Sequence, residues 1–317
     1  METSTDNLFF ILGGQDNEMA EIIKVLEKHG QPYWQPQLEW GNIKIDNFTL
    51  PHDSQGKHLV FVECRPAWLR EEFPLTPSLA KRGQPSLYER EGRVSSPLII
   101  DHHNHLSENP ASLLQVLKLL HLKPTIRQQI IASIDSDFLS RTIAKWPTKK
   151  RQILKIWEDG YRKKFDSEED YLQFKDHCWN LFKQAVGNQL PHLKLNPVKL
   201  PLISSSSEEG KSRSLFEKEE EFPLFVKEGV RGSLPLILII QQAPDSRTML
   251  AAMADLAGVE CCLISGTLES DHLKPCSYIG KSATVIKLAN QNFPGSYWGK
   301  YYFGCRAVPG KFVNAIP

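Results

Sequence analysis

Residues 97–104 read Pro-Leu-Ile-Ile-Asp-His-His-Asn, a short apolar run, Leu98-Ile99-Ile100, that stops abruptly on Asp101, His102 and His103. An apolar run of this length bounded by polar residues describes a buried strand. Two runs of the same kind precede it. Asn7 to Leu12 (NLFFIL) leaves through Gly13-Gly14 and is followed by Asp16 and Glu18, and His58 to Val62 (HLVFV) ends on Glu63. Strands that are apolar throughout, rather than alternating, belong to a parallel sheet covered on both faces. Ligands of such open α/β sheets bind at the carboxyl edge, which is where the acidic residues and histidines fall.

Helical periodicity fills the spaces between the strands. Asn17 to His29 carries Met19, Ile22, Ile23, Val25 and Leu26 on a helix closed by Gly30. Ser107 to Leu120, with Pro110 in its first turn, predicts a second helix, and Pro124 to Ala144, which contains Asp135 and Asp137, a third. Between the second and third strands, Pro66 to Ser96 is rich in proline, arginine and glutamate and reads as an irregular excursion or lid.

Lys149 to Val186 is charged, aromatic and helical, and Ser204 to Ser214 is a polar, serine-rich linker or long surface loop. An α/β pattern then restarts: strand Leu234 to Gln241, helix Asp245 to Ala257, strand Val259 to Ser265. The expected architecture is α/β, with a parallel-sheet N-terminal domain over 1–146 and a helical connector over 147–203. A flexible linker over 204–220 and a smaller α/β C-terminal domain over 221–317 follow.

Composition narrows the function classes. The chain has 317 residues, 41% hydrophobic and 24% charged, with Lys+Arg 38 against Asp+Glu 37. That balance argues against bulk electrostatic capture of a long nucleic acid or a membrane surface. The longest apolar runs are too short to span a bilayer and the N-terminus lacks the features of a signal peptide, so a cytoplasmic location is expected. Six cysteines are scattered without a CxxC pair, the pattern of reduced, buried thiols.

Carboxylates gathered at one sheet edge repel one another unless cations neutralise them. Carboxylate plus imidazole is a donor set suited to manganese, magnesium or zinc. The run Leu98-Ile-Ile-Asp-His-His-Asn104 resembles the signature of the DHH phosphoesterase family, which includes RecJ-like exonucleases, oligonucleotide and cyclic-dinucleotide phosphodiesterases, and family II pyrophosphatases. Gly14-Gln-Asp-Asn-Glu18 sits where that family has its first acidic motif, Glu63 where it has its second, and Ser133-Ile-Asp135 where it has its fourth. The resemblance covers roughly the first 145 residues, and only the Asp-His-His run is distinctive by itself.

The resemblance implies manganese, or magnesium, as one or two ions beside an activated water. It assigns Asp16 to one ion, Glu18 and His102 to the other, Glu63 as a bridge and Asp135, with Asp137 as the alternative, to the second ion's shell. Asp101 would orient its neighbours and His103 would contact substrate phosphate, so that Asp101, His102 and His103 form the catalytic run. Two departures stand out: Leu12-Gly13-Gly14 occupies the place of a histidine ligand, and Glu63 replaces an aspartate. Asp16 and Glu18 also suit the first turn of a helix, where the macrodipole favours them.

In the C-terminal domain, Lys281, Lys300 and Arg306 are candidate phosphate contacts and Tyr297, Trp298 or Tyr301 candidate stacking platforms. Gly280-Lys-Ser282 lacks the glycine spacing of a phosphate loop and reads as a turn into a helix, and the aromatic run Tyr297 to Phe303 reads as a packed strand in preference to a stacking platform. The implied substrate is a small nucleotide or a short or cyclic oligonucleotide, bound between the two domains, with no membrane partner and a homodimer left open. A nucleotide-binding regulatory protein and a pyrophosphatase-like hydrolase are the alternatives.

Overall fold

Three strands predicted from their apolar runs, and the glycine that follows the first, set the architecture of the N-terminal part. The computed structural model describes residues 7–36, 44–45, 50–66, 97–190, 197–200, 220–223, 237–241, 243 and 248–316. Its contacts divide the chain into two units, Met1–Ser136 and Asp137–Pro317. Beyond Pro66, the excursion expected up to Ser96 lies outside the described residues, as does the serine-rich stretch Ser204 to Ser214.

The first unit holds β1 (Leu8–Leu12), α1 (Asn17–Lys28), β2 (Tyr33–Trp34), β3 (Lys44–Ile45), β4 (His58–Val62), β5 (Arg65–Pro66), β6 (Leu98–Ile100) and α2 (Ser112–Leu119). α3 (Ile126–Lys145) begins in this unit and ends in the second. A parallel sheet runs in the order β2-β1-β4-β6, and β3 and β5 form a separate parallel pair. The central strands β1 and β4 are almost fully buried, as their unbroken apolar runs require, while β6 at the edge buries only Ile100. α1 covers the sheet with Met19, Ile22, Val25 and Leu26, the inward residues of a 3.6-residue period.

Register decides where the edge residues fall. Leu12 pairs with Val62 and Val62 with Ile100, so the three strands end in one row. Gly13 N donates to Val62 O and Glu63 N to Ile100 O, both at 2.8 Å, which carries the row one residue further to Gly13, Glu63 and Asp101. A Cβ on residue 13 would stand 2.7 Å from the Glu63 carbonyl oxygen. The obstacle is backbone rather than a movable side chain, so only glycine allows β1 and β4 to stay this close.

Two helices depart from expectation. The helix predicted over Ser107 to Leu120 begins at Ser112, preceded by a 3-10 turn at Asn104–Leu106, because Pro110 supplies no N–H and excludes its predecessor from helical geometry. α3 is interrupted at Phe138, whose φ of 63° and ψ of 176° are not helical.

The second unit contains the C-terminal leg of α3, α4 (Lys150–Arg162), α5 (Glu168–Gln189), β7 (Pro197–Leu200), β8 (Glu220–Pro223), β9 (Ile237–Ile240), α6 (Thr248–Ala257), β10 (Glu260–Ile264), β11 (Lys274–Ile279), α7 (Ser282–Ala289), β12 (Tyr297–Trp298), β13 (Tyr302–Ala307) and α8 (Pro309–Ala315). β9, α6 and β10 form the expected βαβ unit with parallel strands, and β11, β13 and β12 extend the sheet antiparallel. β7 and β8 pair with each other. The connector helices α4 and α5 group with this unit: α5 contacts β9 and α6, and the Gln189 amide bonds both Ile239 O and Ile239 N on the edge strand.

The aromatic run is packed structure: Phe303 is buried in the core with Phe312, and Trp298 lies against it. All six cysteines are buried and none forms a disulfide. No helix among the described residues is long and apolar enough to cross a membrane.

The leg of α3 after Phe138 starts on a cap borrowed from α6. Asp255, 7% exposed, accepts from Ser140 N at 2.7 Å and Ser140 Oγ at 2.6 Å, with Arg141 3.7 Å away. Burial pushes the Asp255 carboxyl up despite these partners. Removing the acceptor leaves buried donors at a helix start, so Asp255→Ala is expected to lower unfolding free energy by about 2 kcal/mol. Denaturant titration at neutral pH checks this, and an unchanged midpoint would show the cap to be incidental.

Candidate metal centre

Four side chains from four elements meet at the carboxyl edge of the first sheet. His102 follows β6, Glu63 follows β4, Glu18 lies in the first turn of α1, and Asp135 comes from α3. His102 Nε2 lies 2.7 Å from Asp135 Oδ2, 3.3 Å from Glu63 Oε1 and 3.4 Å from Glu18 Oε2. His102 and Glu18 are buried, at 5% and 1% exposed, while Asp135 is partly open. No other donor or acceptor among the described residues engages these four atoms.

One imidazole nitrogen carries at most one proton and can donate it to one oxygen. Three carboxylate oxygens face it. Two unit charges about 4 Å apart repel by about 4 kcal/mol at an effective dielectric of 20, so the full set is unstable as three anions around one shared proton. The pKa directions express the same conflict. Burial raises the Glu18 carboxyl and the nearby Asp135 charge adds to it. Burial opposes a charged His102, yet Asp135, Glu18 and Glu63 overwhelm that and drive its pKa far up. For Glu63 burial is again the largest influence, but contacts with His102 and the charge of His103 outweigh it and hold the carboxyl below its usual value.

A divalent cation resolves the conflict, because three carboxylates and a neutral imidazole form a donor set for manganese, magnesium or zinc. The orphaned buried atoms fit such an ion. Glu18, Glu63, His102 and Asp135 each offer one ligand atom, all within 4.8 Å of one another, and Glu63, His102 and His103 form an overlapping second group.

The supporting contacts hold these groups still. Glu18 Oε1 accepts from Leu113 N at 3.0 Å, so the first turn of α2 aims its other oxygen. Glu63 sits at φ 53°, a left-handed conformation that costs a non-glycine residue roughly 1–2 kcal/mol. Asp101 Oδ1 accepts from His103 N at 2.9 Å and contacts His103 Nδ1 at 2.8 Å. Burial disfavours both charges, but the contact wins, holding Asp101 below and His103 above their ordinary values. The Asp101 carbonyl accepts from Asn109 Nδ2 at 3.2 Å and Gln115 Nε2 at 3.1 Å. Neither residue stood out in the sequence, where a lone Asn or Gln after a motif carries no distinctive signal.

The other candidates lie elsewhere. Asp16 is the N-cap of α1, its Oδ1 accepting from Met19 N at 2.8 Å, and belongs to neither donor group. Asp137 pairs with Lys145, whereas Asp135 is the α3 aspartate that joins the four-residue donor group. In the second unit, the Lys281 ammonium lies 2.6 Å from Glu260, Lys300 lies over the Tyr301 ring with Arg141 at 3.6 Å from its centroid, and Arg306 is exposed on β13.

No protein-family model and no curated protein matches the chain. Among solved structures, the fold is similar to a pGpG-specific phosphodiesterase, PggH from Vibrio cholerae, with 8% identity, a TM-score of 0.35, and coverage of 95% of this chain and 92% of that one. At that distance the functional reading rests on the side chains of the centre alone.

The raised Glu18 carboxyl gives a pH-dependent prediction for metal-free protein. A group whose folded pKa lies above its unfolded value, here 4.5, contributes stability below that value and loses it as pH rises through the folded pKa. Glu18→Gln keeps the acceptor for Leu113 N and removes the charge. Chelator-treated Glu18→Gln is therefore expected to melt higher than chelator-treated wild type at pH 7, with the gap closing towards pH 4. A gap independent of pH would contradict this origin.

Proposed function

We propose that the protein is a metal-dependent phosphoesterase that hydrolyses a phosphodiester bond of a small nucleotide or a short or cyclic oligonucleotide. The observation that carries this reading is the convergence of Glu18, Glu63 and Asp135 oxygens on His102 Nε2 at the sheet edge, beside the Asp101–His103 pair. A divalent ion held by that set supplies Lewis acidity, activating water near neutral pH and stabilising charge on a phosphoryl oxygen. His103, oriented by Asp101, belongs to the cluster, and the Asp101 contact holds its pKa above the ordinary value, which suits it to a phosphoryl oxygen.

Manganese is the ion of choice because the donors mix three oxygens with one nitrogen, and magnesium is the alternative. The near-neutral net charge supports a small substrate over a long polyanion. Lys300 and Arg306 are the residues of the second unit proposed to contact phosphate, and Lys281 joins them once released from Glu260.

With manganese, wild type is expected to hydrolyse bis-p-nitrophenyl phosphate and at least one member of a panel of linear and cyclic dinucleotides. His102→Ala should lower the rate by about 1,000-fold, the factor that several kcal/mol of lost charge stabilisation represents. Turnover of pyrophosphate alone would move the substrate to a phosphoanhydride. Tight binding of a dinucleotide without turnover would make the protein a nucleotide sensor. Activity indifferent to His102→Ala would overturn the metal mechanism.

A further inference from the structure

The resemblance in the sequence implies up to two ions, and the donors present can be counted against that. We infer that this centre holds a single divalent cation, bound by Glu18, Glu63, His102 and Asp135. The inference rests on the metal-dependent reading proposed above.

The place of the additional ligand offers no donor. Leu12 is fully buried in β1, and Gly13 has no side chain and no room for one, since a Cβ there meets the Glu63 carbonyl oxygen. Gly14 adds nothing, and Asp16, the remaining candidate for that ion, lies outside both donor groups while its Oδ1 caps α1.

The overlapping group of Glu63, His102 and His103 does not make a second site. It shares Glu63 and His102 with the four-residue set, and one imidazole nitrogen has one lone pair, which serves one ion. Its only donor of its own is His103, whose Nδ1 is held by Asp101 Oδ1 at 2.8 Å, so a second ion there would have only the His103 Nε2 and a shared Glu63 oxygen, two donors where the first set has four. By contrast, the four-residue set is complete. His102 Nε2, Glu18 Oε2 and Glu63 Oε1 are buried and face one another, with no other partner among the described residues.

The test is metal content. Full-length protein is loaded with excess manganese and freed of unbound ion by gel filtration, then assayed by elemental analysis and electron paramagnetic resonance. One equivalent per chain with the spectrum of an isolated ion is expected. Asp16→Asn, which keeps the cap, should retain that equivalent with unchanged affinity, and Glu63→Gln should bind at least about tenfold more weakly.

Two equivalents with a spin-coupled spectrum, or loss of manganese in Asp16→Asn, overturns the single-ion inference and leaves the metal-dependent reading standing. No bound manganese, magnesium or zinc in wild type overturns both.

Discussion

Three carboxylate oxygens facing one imidazole nitrogen is the constraint on which the first unit depends. Such a set does not assemble for stability: buried like charges and orphaned polar atoms cost free energy. It persists because the surrounding structure leaves those side chains nowhere else to go. Parallel register ends three strands in one row and puts Glu63 and Asp101 side by side. The backbone of α2 then holds one oxygen of Glu18 and leaves the other facing His102. Left-handed geometry at Glu63 stores strain at the residue that brings a carboxylate to the cluster.

A second layer keeps the Asp-His-His turn rigid. Asp101 is bound at both ends: its carboxylate by His103 N and Nδ1, its carbonyl by Asn109 and Gln115. Because Gln115 also donates to Pro110 O, the turn before α2, the helix itself and the end of β6 are tied together. The short α2 thus braces both Asp101 and Glu18, one following a strand and the other on a helix, which lie far apart in sequence. Preorganisation of this kind lets a site hold charged groups in place without reorganising when an ion or substrate arrives.

Much of this was legible in the sequence, for physical reasons that also explain what was not. Buried parallel strands announce themselves as unbroken apolar runs, so β1, β4 and β6, and the residues just past them, could be read directly. α1 was visible in its period, and the βαβ unit of β9, α6 and β10 in its alternation. The two-residue β2 carries too little pattern to detect. Asp16 and Glu18 look equivalent in one dimension, since both suit a helix start. The fold separates them: the N-cap position turns Asp16 onto Met19 N, while Glu18, two residues on, faces His102. The start of α2 was misplaced because Pro110 was taken into its first turn, when it lies before the helix.

The choice between Asp135 and Asp137 shows the same limit most clearly. Two aspartates spaced by one residue point about 200° apart on a helix, so only one can face the sheet edge, and sequence does not say which. Asp135 faces His102, and Asp137 goes to Lys145. One residue later the helix breaks at Phe138, and the new leg takes its cap from Asp255 rather than continuing the old ladder. A non-glycine residue at φ 63° and ψ 176° is unfavourable by about 1–3 kcal/mol unless its neighbours fix it. The neighbours here are identifiable: Thr142 Oγ1 bonds the Phe138 carbonyl, Tyr302 meets its ring edge-on, and Asp255 holds Ser140. The break separates a first leg that carries Asp135 at the carboxylate cluster from a second leg that is capped by Asp255 in the C-terminal unit.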